Sequence, residues 1–225
     1  MITGTANSST VFIIDDDEGV RRGLERLIRS AGWRTEGHAS AGAFLGRLPF
    51  AGVGCVLLDV EMPGMRGPEL QERMLAMGVS LPIVYLTGHA DVPMSIRAMK
   101  QGALDILLKP VEEESVLSAI GAAIARHQSI DANERERLAI GQLLSRLSPR
   151  EHEVMAAVIS GRLNKQIAGD LGITEKTVKA HRARVMEKLE TRSVAALVRL
   201  CAMVGIVPSD DPAGMRSAAE MADTH

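Results

Sequence analysis

The chain has 225 residues, with 46% hydrophobic and 24% charged side chains and a formal net charge of −2, a composition that excludes disordered and fibrous proteins. Its length fits one large domain or two small ones, and two is the better prediction. The two cysteines, Cys55 and Cys201, lie far apart in apolar segments, so we expect neither a disulfide framework nor a cysteine metal site. Without a bilayer-spanning apolar run or a signal-peptide pattern, we expect a cytoplasmic protein with no membrane contact.

The first half of the chain alternates short apolar runs with amphipathic stretches, the pattern of strand and helix units around a parallel sheet. The runs predict strands over 11–14, 34–38, 55–58, 83–86 and 105–108. A helical stripe at Val20, Leu24, Leu27 and Ile28 predicts the first helix, and others are expected over 41–48, 68–77, 92–101 and 112–127. Residues 1–127 are thus predicted to be an α/β domain with a doubly wound, flavodoxin-like sheet, which binds ligands at the carboxyl ends of its strands.

A helical linker is predicted over residues 128–147, which contain no proline and a single glycine. The pattern leaves open whether the preceding helix continues into this linker or breaks near residues 129–133. Beyond it, residues 148–207 carry ten basic against six acidic side chains, whereas residues 1–127 carry twelve against fifteen. This asymmetry favours a nucleic-acid-binding module joined to a domain of another kind.

Helix signals follow each other closely in the basic segment. Ser148 with Pro149 and Glu151 forms the pattern of a capping box with proline in the first turn. Asn164 is expected to cap a short helix that ends before Gly172, Thr174 a longer basic helix, and Ser193 a fourth helix. A short helix, a glycine turn and a longer basic helix predict an all-α, four-helix helix-turn-helix domain over 148–207. Residues 208–225 are expected to form a disordered tail.

Polar side chains follow four of the predicted strands. Asp15 and Asp16 come after the first, Asp59 after the third, Thr87 after the fourth and Lys109 after the fifth. Clustered carboxylates raise one another's pKa unless a cation holds them, so the three acids predict a Mg²⁺ site. An aspartate there can accept a phosphoryl group as an acyl phosphate, with Lys109 as a cation for phosphate oxygens and Thr87 as a hydroxyl donor.

Two sets of motifs carry a resemblance to a known family. Asp15-Asp16, Asp59 with the following MPGMRG, Thr87-Gly88-His89 and Lys109-Pro110 resemble the receiver domain of two-component response regulators. The segment from Leu147 to Leu189 resembles the LuxR-type DNA-binding domain of the NarL/FixJ subfamily. Together the two similarities cover about 195 of the 225 residues.

The resemblance implies a phosphorylation cycle and its partners. A sensor histidine kinase would phosphorylate Asp59, with Mg²⁺ held by Asp15, Asp16, Asp59 and the backbone carbonyl of Glu61. Thr87 and Lys109 would contact the phosphoryl oxygens. The output implied is regulation of transcription, with double-stranded promoter DNA as ligand, a homodimer formed on phosphorylation, and RNA polymerase as a further candidate partner.

One position departs from the family pattern. The aromatic switch residue is expected three positions before the lysine, where this chain has Ile106. An isoleucine cannot swing a ring between exposed and buried positions when Thr87 moves, so a second hypothesis is an atypical receiver. In that alternative, DNA binding is independent of phosphorylation or is controlled by a partner protein.

The helix that begins near Thr174 is the candidate reader of the major groove. Val178, Val185 and Leu189 recur at the spacing of one helical face and are expected to pack in the domain core. The predicted DNA-contacting residues are basic or hydroxyl-bearing and lie mostly on the other faces: Lys165, Lys176, Thr177, Lys179, Arg182 and Arg184.

An enzyme that hydrolyses phosphoesters through an aspartyl phosphate is the hypothesis from another class. The haloacid-dehalogenase-type phosphatases carry their nucleophile after the first strand, whereas the candidate Asp59 follows the third. The sequence therefore favours a regulator over an enzyme, and leaves open whether the receiver masks the DNA-binding domain or only brings two copies together.

Overall fold

The computed structural model describes residues 9–88 and 92–208. The chain divides into two compact units between residues 132 and 133. The first unit contains strands β1 (Thr10–Ile14), β2 (Arg34–His38), β3 (Gly54–Asp59), β4 (Ile83–Thr87) and β5 (Asp105–Leu108). Its helices are α1 (Glu18–Ser30), α2 (Ala41–Leu45), α3 (Gly67–Ala76), α4 (Val92–Lys100) and the first part of α5 (Glu113–Leu144). The second contains α6 (Pro149–Ile159), α7 (Asn164–Leu171), α8 (Glu175–Lys188) and α9 (Val194–Met203).

The five strands form one parallel sheet in the order β2-β1-β3-β4-β5. β1, β3 and β4 are buried along their whole length because helices cover both faces of the sheet. Successive side chains point to opposite faces, so Phe12 and Val56 belong to one core cluster and Val11 and Cys55 to the other. The predicted doubly wound α/β domain is confirmed.

Two helices of the first unit differ from the expectation. α2 ends at Leu45 instead of extending to residue 48, because Gly46 caps it and a residue that precedes a proline, as Leu48 does, disfavours helical backbone. α5 is one helix from Glu113 to Leu144, so the continuous alternative is the one observed for the linker. The domain boundaries at residues 127, 147 and 207 stay predictions.

Side-chain caps begin three of the helices of the second unit as expected. Ser148 and Glu151 form the capping box of α6, Thr174 accepts a hydrogen bond from the backbone of Thr177, and Ser193 caps α9. The expectation for Asn164 is wrong. Leu163 is the N-cap of α7, and its backbone N–H donates to Gln166 Oε1 at 2.8 Å, so Asn164 is the first helical residue.

The second unit has its own apolar core, formed by residues of α6 to α9 and of the end of α5. Val178, Val185 and Leu189 are buried in it, as predicted from their spacing. Gly172 ends α7 with a φ of 64°, a left-handed conformation that glycine adopts without strain, and the chain turns there into α8. The predicted all-α helix-turn-helix domain is therefore confirmed.

Cys55 and Cys201 are both free and buried, as expected. Among the helices of residues 9–88 and 92–208, none is long and apolar enough to cross a membrane. Of the predicted disordered tail, all but Pro208 lies outside the described residues, and so does His89 of the receiver motif.

Candidate functional site

The polar residues predicted to act together converge at the carboxyl edge of the sheet. β1 and β3 are paired up to Ile14 and Leu58, so the next residues, Asp15 and Asp59, lie side by side. β4 pairs with β5 through Thr87 and Leu108, and Lys109 follows directly. The Lys109 N–H donates to the Thr87 carbonyl at 2.8 Å, which holds these two strand ends together. Parallel pairing thus assembles one site from residues up to 94 positions apart.

Three carboxylates form an acidic cluster at this edge. Asp15, Asp16 and Asp59 each offer an oxygen within 4.8 Å of the others. Asp15 and Asp59 are buried, with 1% and 6% of their surface exposed, whereas Asp16 is exposed. Hard carboxylate oxygens, one of them open to solvent, are the ligand type that Mg²⁺ prefers in proteins.

Lys109 bridges the two buried carboxylates. Its Nζ lies 2.6 Å from Asp15 Oδ2 and 2.9 Å from Asp59 Oδ1. Burial raises the pKa of Asp59 above its ordinary value; Lys109 opposes this rise, while Asp15 and Asp16 add to it. Burial lowers the pKa of Lys109, but its hydrogen bonds to Asp15 and Asp59 outweigh burial and raise it. Lys109 is therefore the cation that keeps the acids together.

Two residues that position Asp15 were missed from the sequence. The Asp17 N–H donates to Asp15 Oδ1 at 2.9 Å, and Asp17 itself caps α1 by accepting from Gly19 and Val20. These backbone hydrogen bonds lower the pKa of Asp17. Arg21, one turn into α1, donates to the Asp15 carbonyl at 2.7 Å. A third aspartate directly before a helical stripe is a recognisable N-cap signal, whereas the Arg21 contact has none.

The other predicted site residues lie around the cluster. Thr87 is 3% exposed at the end of β4. Glu61 is two positions after Asp59, and its side chain pairs with Arg66. Ile106 is half-buried and packs against the core cluster on its side of the sheet. The assigned roles of all three stay predictions.

The second candidate site is the exposed face of α8. Lys176, Lys179 and Arg184 are exposed there, and Lys165 is exposed in the first turn of α7. Thr177 is half-buried, and its hydroxyl lies 2.9 Å from the hydroxyl of Thr174. The predicted contact residues thus differ in their exposure to solvent.

Arg182 differs from the other basic residues of α8. It is half-buried, and its Nη1 donates to Asn164 Oδ1 at 2.7 Å, so the pair links α8 to the start of α7. Asn164, which does not cap α7, thus contributes to the packing of α7 against α8 through Arg182. A helical wheel alone does not reveal this bond, because it depends on how the two helices pack.

A partly buried ion pair in the second unit was also missed. Glu151 is 3% exposed and accepts from Lys188 Nζ at 2.6 Å and from the Ser148 N–H at 2.8 Å. Lys188 also donates to the Arg146 carbonyl at 3.0 Å. The bond from Lys188, aided by Ser148, lowers the pKa of Glu151 to about 2. The end of α8 is therefore tied to the start of α6.

Comparisons with known proteins match both units of the chain. Residues 11–121 match the family described as "Response regulator receiver domain", and residues 145–201 match "Bacterial regulatory proteins, luxR family". The Transcriptional regulatory protein FixJ of Azorhizobium caulinodans is 40% identical over 208 residues, which are 91% of this chain and 97% of that protein.

Solved structures give the same likeness. The response regulator StyR is 45% identical, with a TM-score of 0.79 over 87% of this chain and 98% of that one. Full-length FixJ from B. japonicum is 39% identical, with a TM-score of 0.55 over 90% of this chain and all of that one. The similarity therefore extends over the parallel-sheet unit and the helix-turn-helix on a single chain.

Proposed function

We propose a phosphorylation cycle for this chain, which belongs to the family of response regulators that join a receiver domain to a LuxR-type DNA-binding domain. That family consists of transcription factors rather than enzymes, and the chain is a transcriptional regulator with a histidine kinase and DNA as its partners. The observation that carries the proposed cycle is the bridging of Asp15 and Asp59 by Lys109 at the carboxyl edge of the sheet.

Asp59 is the proposed phosphoacceptor. Its carboxylate oxygen attacks the phosphorus of the kinase phosphohistidine; the N–P bond breaks as the O–P bond of the acyl phosphate forms, and the leaving imidazole takes up a proton. Lys109, already 2.9 Å from Asp59 Oδ1, then binds the new phosphoryl oxygens, and Thr87 donates its hydroxyl to them. Asp59 is well suited to this step because its neighbours hold it in place.

Mg²⁺ is the proposed cofactor of this step. Asp15, Asp16 and Asp59 supply carboxylate oxygens, and the backbone carbonyl of Glu61 is the fourth proposed protein ligand. When bound, the ion neutralises negative charge on the transferred phosphoryl group. The support for this cofactor is the donor set itself: three hard oxygen ligands, against which Lys109 is the one lysine paired with them among residues 9–88 and 92–208.

The proposed output is dimerisation that presents two copies of α8 to neighbouring DNA half-sites. Thr87 begins the switch by moving towards the phosphoryl group, and Ile106, which packs in the same core cluster as the strand residue Tyr85, transmits the change without a swinging ring. The likeness to FixJ over the full chain favours this phosphorylation-dependent regulator over the alternative in which DNA binding is independent of phosphorylation.

The DNA side of the proposal rests on exposed basic residues. Lys165, Lys176, Lys179 and Arg184 are exposed on α7 and α8, and Thr177 is a half-buried hydroxyl donor on the same side. Arg182 must leave Asn164, or contact DNA with its remaining N–H groups, to take the role predicted for it. The proposed location is the cytoplasm, where RNA polymerase would be a further partner.

Phosphorylation of the full chain by a small acyl phosphate donor tests the cycle. With Mg²⁺, intact-mass spectrometry is expected to find one added phosphoryl group on the wild-type chain and none on Asp59→Asn. Asp105→Asn, at an exposed aspartate on the same sheet, is the matched control and should still be labelled. Equal labelling of Asp59→Asn and the wild type would contradict the proposal.

A further inference from the structure

Asp15 is held at every polar group that it has. Its backbone N–H donates to the His38 carbonyl at 3.2 Å. Its carboxylate accepts from the Lys109 ammonium group and from the Asp17 N–H. Its carbonyl oxygen accepts from Arg21 Nη1 at 2.7 Å. The side chain of Arg21 therefore completes the fixation of Asp15, and it does so from helix α1.

Asp16 has no comparable support. Its side chain is exposed, and among residues 9–88 and 92–208 no hydrogen bond or ion pair holds its carboxylate. The place of this carboxylate therefore depends on the backbone. The carbonyl of Asp15 and the N–H of Asp16 belong to one planar peptide unit. A donor that fixes the carbonyl thus fixes the plane from which the Asp16 side chain extends.

Arg21 is placed for this contact by α1 and by β2. Asp17 caps α1, and the Arg21 N–H donates to the Asp17 carbonyl at 3.0 Å, so Arg21 lies in the first turn above the acids. Its side chain is half-buried, and its Cδ runs beside Gly37 of β2, 4.0 Å from where a Cβ on that residue would stand. The guanidinium group then donates a charge-assisted hydrogen bond, which is stronger than a neutral one.

We propose that Arg21 is a positioning residue for the proposed Mg²⁺ site: by holding the Asp15 carbonyl, it keeps the Asp16 carboxylate directed at the ion. Residues that hold metal ligands in place contribute about 10–100-fold to metal affinity. The inference rests on the proposed function, because it requires Mg²⁺ to bind at the acidic cluster.

Charge and positioning make opposite predictions for Arg21. A guanidinium group near a cation site repels the ion, so the loss of its charge alone would strengthen Mg²⁺ binding. The loss of positioning would weaken Mg²⁺ binding, because the Asp16 carboxylate would no longer be held towards the ion. The sign of the change therefore distinguishes the two roles.

The Mg²⁺ affinity of the full chain tests the inference, measured from the rise of the thermal midpoint with Mg²⁺ concentration. Arg21→Ala is expected to bind Mg²⁺ about tenfold more weakly than the wild type. Arg21→Gln, with a shorter and uncharged side chain, should show the same loss. Arg22→Ala is the matched control, because Arg22 is the next residue of α1 and its exposed side chain pairs with Glu18. It should bind Mg²⁺ as the wild type does.

Two further measurements separate positioning from a general loss of structure. In an Asp16→Asn background, Arg21→Ala should change the Mg²⁺ affinity by less than about twofold, because the carboxylate that Arg21 positions is gone. With a small acyl phosphate donor, labelling of Asp59 in Arg21→Ala should be slow at low Mg²⁺ and reach the wild-type rate at saturating Mg²⁺.

The outcomes separate the inference from the function beneath it. An Arg21→Ala chain that binds Mg²⁺ as tightly as the wild type, or more tightly, would overturn the inference. A loss of equal size with and without the Asp16 carboxylate, or labelling that stays slow at saturating Mg²⁺, would also overturn it. In each case the proposed function stands if the wild type binds Mg²⁺ and is labelled on Asp59. A wild-type chain that neither binds Mg²⁺ nor is labelled would overturn the proposed function together with the inference.

Discussion

Lys109 lies between two buried carboxylates, and this contact defines the receiver site. Two carboxylates at such a short separation repel each other. The fold tolerates them because the ammonium group of Lys109 donates a hydrogen bond to each. The pKa of Asp59 is raised because the carboxyl group is buried and because Asp15 and Asp16 still repel its negative charge. The site therefore carries a local electrostatic cost that a bound cation would relieve.

Removing the charge of Asp59 should stabilise the receiver in metal-free buffer. Because the folded-state pKa of Asp59 is raised above 3.8, its ionised form destabilises the fold at pH 7. Asp59→Asn is expected to raise the thermal midpoint at pH 7. The gain should shrink as pH falls through the raised folded-state pKa of Asp59 and vanish below 3.8, where the wild-type carboxyl is protonated in both the folded and the unfolded state. Calorimetry of both chains checks this.

Added Mg²⁺ provides the complementary measurement. Millimolar Mg²⁺ is expected to raise the midpoint of the wild-type chain and to leave Asp59→Asn nearly unchanged, because the variant lacks one of the proposed ligands. A variant less stable than the wild type in metal-free buffer would contradict the electrostatic account. A wild-type thermal midpoint that does not change when Mg²⁺ is added would contradict the proposed metal site.

Tyr85 forms a buried hydrogen bond that the sequence does not reveal. Its hydroxyl donates to Gln71 Oε1 at 2.7 Å, and Gln71 Nε2 donates to the Gln101 carbonyl at 3.1 Å. Tyr85→Phe leaves a buried acceptor without this donor, and is expected to cost about 1–3 kcal/mol in the free energy of unfolding. Urea unfolding gives the value.

A double variant serves as the control for that prediction. Tyr85→Phe with Gln71→Leu removes both partners of the bond and should be destabilised by less than the sum of the two single variants. If the losses in the free energy of unfolding were strictly additive, the hydrogen bond between Tyr85 and Gln71 would contribute nothing to stability.

Helix α6 begins where three parts of the second unit meet. Ser148 caps the helix, Glu151 closes the capping box, and Lys188 from the end of α8 donates to the same carboxylate. The pair thus fixes the last turn of α8, the helix proposed to read DNA, against the first turn of α6. Arg150 adds a hydrogen bond from α6 to the Leu171 carbonyl, just before the turn of the helix-turn-helix.

The Glu151 contact predicts an acid-sensitive second unit. The folded-state pKa of about 2 lies below the ordinary 4.5, so the ionised carboxylate stabilises the fold above pH 4.5, and this contribution is lost as pH falls from about 4.5 to about 2. Glu151→Gln keeps the capping geometry without the charge. Amide protection of α6 and α8 in the full chain should be greater in the wild type at pH 6, and the two chains should converge near pH 2. A difference that is the same at both pH values would refute the ion-pair account.

The inner strands β1, β3 and β4 could be predicted to within about one residue because a sheet covered on both faces requires continuous apolar runs. The same rule placed Asp15, Asp59, Thr87 and Lys109 at one edge. The end of α2 and the capping of α7 could not be predicted, because Gly46 and Gln166 decide them through local hydrogen bonds that competing cap signals obscure. The Arg182–Asn164 and Lys188–Glu151 bonds depend on helix packing, which periodicity does not describe.

In the whole chain, the acidic edge of the sheet and helix α8 lie in separate units that have separate cores. The FixJ and StyR likenesses extend over both units, so the pair is a property of the family rather than of either unit alone. The unusual element in this chain is Ile106, which replaces the expected aromatic switch with a side chain packed in the core. We therefore expect charge and hydrogen bonding at Asp59 to be sufficient to drive the proposed switch.

Light-scattering mass in solution tests that account most directly. With Mg²⁺ and beryllofluoride, which mimics a phosphoryl group on Asp59, the 24.1 kDa chain is expected to double in mass, and Asp59→Asn is expected to stay monomeric. Binding of the mimic is established separately through Trp33 fluorescence or native mass spectrometry. A wild-type chain that binds the mimic and keeps the mass it has without it would contradict phosphorylation-driven dimerisation.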